Sequence, residues 1–141
     1  MNNNIEEVLA LNGFLILPVK GDSMMPLLNQ ETDTVRLTPI IEPLKKYDIP
    51  LYRRPSGQLV LHRIIKVTEN GFYTCGDNRY IKEFVPYDWC IATAEGIFKG
   101  ENYISLDSDE MCSYAKAIVR KRRFRWLKSL PKRILKKLKL R

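Results

Sequence analysis

The chain has 141 residues, enough for one domain with a real core and short for two. Its hydrophobic content of 45% is ordinary for a globular protein. No apolar run reaches the roughly eighteen residues that a membrane-spanning helix needs. Its net charge of +8 is unevenly divided: residues 120–141 hold 12 of the 24 basic residues and no acid, which leaves 12 basic against 16 acidic residues elsewhere. Any basic partner surface is therefore expected in the tail.

In chain order, IEEVLALNG predicts a short helix stopped by Gly13. The start, MNNNIEEVLALNGFLILPV, lacks the basic opening of a secretory signal, and Asn12-Gly13 breaks its apolar stretch, so neither export nor an anchor is expected. The segments FLILPV, DTVRLT, DIPLYRR, QLVLHRIIKV, GFYTC and WCIATAEGIFK are rich in β-branched and aromatic residues and predict strands. Pro55-Ser56-Gly57 and Glu69-Asn70-Gly71 predict hairpin turns between them. Asp107-Ser108-Asp109 offers a cap to one helix over EMCSYAKAIVRKRRFRWLKSL, and Pro131 kinks or restarts it for KRILKKLKLR. The expected protein is mainly β over residues 1–106, with a basic amphipathic helical tail over residues 107–141. Cys75, Cys90 and Cys112 have no metal-binding spacing and read as free thiols of a reducing compartment. No metal or cofactor is expected.

The stretch VKGDSMMPLL places Ser23 in a polar turn that runs directly into two methionines and a proline. A serine is a weak nucleophile without a base. The only histidine, His62, lies in LVLHRIIKV, where strand alternation puts it on a face with Val60 and Ile64. Burial beside apolar groups lowers an imidazole pKa and keeps the ring neutral, as a general base must be. Further on, Gly76-Asp77-Asn78 forms a tight turn after a strand. Asp77 there reads either as a cap on backbone N–H groups or as the carboxylate that orients the imidazole.

Three segments together resemble the signal peptidase I superfamily: GDSMMP its nucleophile box, DIPLYRRPSGQLVLHRII the strands delivering its base, and GDNRYIKEFVPYDWCIATAEGI its last box. The likeness spans about residues 14–99. Bacterial signal peptidases and LexA-like repressors carry lysine at the base position, whereas this chain has His62, as in the endoplasmic-reticulum and archaeal branch. The resemblance implies a β-rich, partly barrel-like fold, with Ser23 as nucleophile and His62 as base. The backbone N–H of Ser23 is then the oxyanion donor. The position that adds a hydroxyl donor in some members is Gly21 here. The third residue is either Asp77 or Glu83, the latter standing where that branch usually has aspartate. Gly21, Met24, Met25 and Pro26 are expected to shape the turn and the wall of a pocket for small side chains. The substrate is expected to dock in extended form along a sheet edge.

The expected function is hydrolysis of a peptide bond, in a leader peptide or a partner protein, through an acyl-enzyme. The alternatives are a non-catalytic peptide-binding relative and a LexA-like self-processing regulator; the latter lacks room for a helix-turn-helix before Ser23. In the tail, Phe124, Leu127, Leu130, Ile134, Leu135 and Leu138 form an apolar stripe. Arg125, Lys128, Lys132, Arg133, Lys136, Lys137 and Lys139 lie on the other side. Such a helix suits an anionic membrane surface, with Trp126 at headgroup depth. Nucleic acid is the less expected partner, and the expected location is the cytoplasm, on or near the inner membrane face.

Overall fold

A computed structural model describes residues 4–131. Helix α1 (Ile5–Asn12) begins at Asn4, whose side chain accepts from the Glu6 N–H, and ends at Gly13, whose positive φ of 76° a residue with Cβ would resist. The chain then runs through β1 (Leu15–Pro18), β2 (Asp33–Thr38), β3 (Pro50–Arg53), β4 (Leu59–Leu61), β5 (Arg63–Val67), β6 (Gly71–Cys75), β7 (Glu83–Pro86), β8 (Cys90–Lys99) and β9 (Asn102–Ser105). Helices α2 (Asp109–Arg120) and α3 (Arg122–Ser129) follow. Among the described residues strands take 35% and helices 24%, so the protein is mainly β.

Two antiparallel sheets form. The larger has the order β1-β2-β8-β3-β4, with β9 added on β8, and the smaller has the order β5-β6-β7. Bulges between Arg36 and Leu37 and between Leu51 and Tyr52 interrupt the ladders of β8 with its neighbours. An extra residue on one strand bends it and adds twist, and the larger sheet curls into a half-barrel. β1 and β4 are the end strands of this order, and β9 is a further edge strand beside β8.

The core is in two parts. Met24, Leu27, Leu28, Val35, Leu37, Ile49, Leu51, Ala92 and Ile97 fill the half-barrel, with Met111 and Tyr114 of α2 packed against them. Tyr52, Val60, Ile64, Phe72 and Val85 join the two sheets. Each such side chain contributes about 1.5–3 kcal/mol on leaving water. Residue 106 thus precedes a helix that shares the core of the β-rich part.

Several sequence expectations need correction. QLVLHRIIKV is not one strand: it breaks at His62, with β4 in the larger sheet and β5 in the smaller. The apolar alternation is continuous, but the pairing partners change, so the chain crosses between sheets there. His62 therefore does not occupy a strand face with Val60 and Ile64. The tail is not one helix either: it turns at Lys121, where α3 begins. Ser108 does cap α2, accepting from the Met111 N–H at 3.2 Å. Strands β7 and β9 were not expected. Arg125, assigned to the polar side of the tail, is half-buried against the body, and Phe124 of the apolar stripe is exposed. Ile134, Leu135, Leu138 and the lysines beyond Pro131 lie outside the described residues.

Candidate active site

Ser23 sits in the turn that follows β1. Asp22 and Gly21 beside it are exposed, while Met24 is buried in the core and anchors the turn from below. Gly76-Asp77-Asn78-Arg79, after β6, packs against this turn at four points. The Asn78 N–H donates to the Ser23 carbonyl at 2.8 Å, and Asn78 Nδ2 donates to the Asp22 carbonyl at 3.1 Å. Arg79 pairs with the Asp22 carboxylate, and the Asp77 N–H points at Met24 Sδ at 3.4 Å. Close approach explains Gly76: a Cβ there would stand 2.7 Å from the Ser23 carbonyl oxygen and 3.2 Å from Ser23 Cβ. The Met25–Pro26 peptide is cis.

Ser23 and His62 line one cleft of about 790 Å³. Leu17, Pro18 and Val19 line it, as do Leu59, Val60 and Leu61, together with Met24, Val35, Leu37 and Leu51. The end strands β1 and β4 of the half-barrel thus border the same space. Lys20, Arg54 and Arg79 add positive charge. Gly21 and Met24 also line it, whereas Met25 and Pro26 stand outside its lining. Ser23 Oγ and the His62 nitrogens form no hydrogen bond among the described residues; contacts of this kind commonly tighten only when substrate binds. The Ser23 backbone N–H likewise donates to no acceptor among the described residues.

His62 lies edge-on to the buried Tyr52 ring, with centroids 6.5 Å apart. Its pKa is pushed down to about 4, first by burial and then by the charge of Arg54, while Glu83 acts in the opposite sense. The imidazole is therefore neutral over the whole neutral range.

The two candidate acids are placed differently. Asp77 forms a buried two-point ion pair with Arg63, with Nε–Oδ1 at 2.8 Å and Nη2–Oδ2 at 2.9 Å. Arg63 also donates to the Tyr47 carbonyl at 3.1 Å. Arg63 follows His62 in the chain, yet Asp77 makes no hydrogen bond to the imidazole. Glu83 accepts from the Tyr52 hydroxyl at 2.6 Å and from Arg54 at two points, each 3.0 Å. Burial raises its pKa, but the Arg54 and Tyr52 hydrogen bonds outweigh this, and the carboxyl is held below its usual range. Glu83 is thus the ionised acid whose field reaches His62, without a direct hydrogen bond to it. Burial and the Glu83 charge push the Tyr52 phenol above its usual range.

Arg54, Tyr52 and Arg63 were not singled out from sequence. Arg63 gave one signal: a charged residue inside a strand-like apolar run, which must be paired if it is buried. Cys75, Cys90 and Cys112 are free thiols. Among the described residues no cluster of His, Cys, Asp and Glu could hold a metal. No described helix is long and apolar enough to cross a membrane. A scan of the sequence against protein-family models finds no match, and no curated protein matches it significantly.

Proposed function

We propose that this chain is a serine endopeptidase of signal-peptidase-like type, with Ser23 as nucleophile and His62 as general base. One observation carries the reading: the only imidazole of the chain and the serine of the GDSM turn line the same cleft, between two open sheet edges. An extended peptide entering there finds unpaired strand backbone on either side and an apolar floor.

In the proposed reaction Ser23 Oγ attacks the scissile carbonyl while neutral His62 takes its proton. The Ser23 N–H donates to the oxyanion. The imidazolium then returns the proton to the leaving amine, and water, deprotonated by the same ring, releases the acyl group. The Glu83 charge offsets part of the opposing effect of the Arg54 charge on the transient imidazolium. Asp77 supports the turn through Arg63 and does not orient the base. The substrate is a leader peptide or a partner protein, met in the cytoplasm. The basic tail holds the enzyme at the anionic inner membrane face.

The test is cleavage of a diverse peptide pool, read by mass spectrometry with anionic vesicles present. Wild type is compared with Ser23→Ala and His62→Ala. Cuts made by the wild type and missing from both variants are expected. Silence of all three would leave a peptide-binding protein on the same fold, and cuts retained by Ser23→Ala would end the proposal.

A further inference from the structure

We propose that α3 is a positioning element for Ser23, acting through Arg122 and Arg125 on the loop that braces the nucleophile turn. The inference rests on the peptidase reading above and goes beyond it, since neither arginine touches the cleft.

The loop between β6 and β7 has no strand pairing over residues 76–82. Within it, the Arg79 N–H closes a turn on the Gly76 carbonyl at 2.9 Å. Two further carbonyls of the loop are taken by α3: Arg125 Nε donates to the Arg79 carbonyl at 2.7 Å, and Arg122 Nη1 to the Tyr80 carbonyl at 2.9 Å. Arg125 Nη1 also reaches back to the Ile118 carbonyl at 3.0 Å, which ties α3 to the end of α2. Both guanidiniums come close enough to Cys75 for their charge to oppose the rise that burial causes in its thiol pKa.

From this loop the contacts continue without a gap into the nucleophile turn, through Asn78 to the Ser23 and Asp22 carbonyls and through Arg79 to the Asp22 carboxylate. The route from Arg125 to Ser23 is thus hydrogen-bonded from element to element. Ionised donors make bonds roughly twice as strong as neutral ones. A planar guanidinium serves two separate carbonyls at once with a fixed fork, so lysine does not replace Arg125 in full.

The test uses the full chain and two readouts. Peptide-resolved amide hydrogen exchange is measured on wild type, Arg122→Ala, Arg125→Ala and Arg125→Lys. Arg123→Ala is the control, because Arg123 is exposed and its side chain makes no hydrogen bond among the described residues. Arg122→Ala and Arg125→Ala should speed exchange about fivefold over residues 21–25 and 76–80 while leaving β2 and β8 unchanged. Arg125→Lys should show a smaller effect in the same segments, and Arg123→Ala none. On a peptide that the wild type cuts, the two alanine variants should lower kcat about tenfold with KM unchanged.

Wild-type exchange over residues 21–25 in the folded variants would overturn the proposal, as would an equal effect from Arg123→Ala. If an alanine variant unfolds, Arg125→Lys decides: local loosening supports the proposal, and wild-type exchange ends it. If the wild type cuts no peptide, the peptidase reading falls, and the exchange data alone decide whether α3 positions the turn.

Discussion

The proton equilibrium of His62 is set by its place at the crossing between two sheets. Its folded pKa of about 4 lies below the ordinary value of 6.5. Between these values the unfolded chain binds a proton that the folded chain refuses. Stability is therefore full above about pH 6.5 and falls as the pH drops toward 4. The loss amounts to about 3 kcal/mol over the window, at about 1.4 kcal/mol for each pH unit between the two values. Urea unfolding of wild type and His62→Gln should diverge in this window, with the variant keeping the greater share of its neutral-pH stability. Parallel curves would mean that the ring is protonated in the fold.

Asp77 and Glu83 show how much of the site the residues announced. Both acids were legible as candidates, and each is engaged by an arginine. Their partners were not, because Arg63 and Arg54 are chosen by the crossing at His62 and by the pairing of β6 with β7. Breaking a buried pair such as Arg63–Asp77 leaves an uncompensated charge and costs about 3–5 kcal/mol. Loss of activity in an Asp77 variant would therefore report on the fold and not on catalysis.

Among the elements, the GDN turn bears most directly on the position of Ser23. It delivers no atom to the cleft except through Arg79, yet it fixes the carbonyl of Ser23. Gly76→Ala would force its new Cβ against the Ser23 backbone, a contact that cannot yield by rotating a side chain. Overpacking of this kind costs about 1–3 kcal/mol, so thermal unfolding should shift down and amide exchange at Ser23 should rise. An unchanged midpoint would show that the two turns do not pack this closely.

Most strands were legible from β-branched alternation, DTVRLT to the residue. The missed strands are four residues each, and EFVP ends in proline, so each is defined by its partner strand and not by its own pattern. The break at His62 was hidden for the converse reason. Val60 and Ile64 are both buried in the cluster that joins the sheets, so the hydrophobic pattern runs unbroken through a point where the hydrogen bonding does not.

At the scale of the whole molecule, an acidic, mainly β body carries a basic tail whose first turns engage the body itself. Arg122 and Arg125 of this tail bind backbone carbonyls of the body. The half-barrel brings its two edge strands to one cleft, and Ser23 and His62, 39 positions apart in the sequence, come to the same space. Whether His62 activates Ser23 in that space is read by intact-mass analysis of the chain after exposure to a fluorophosphonate, which a serine attacks only when a base removes its proton. A single adduct is expected on Ser23, absent from His62→Ala, forming at a rate that is half-maximal near pH 4. No adduct on Ser23, or one that forms equally well without His62, would contradict that activation.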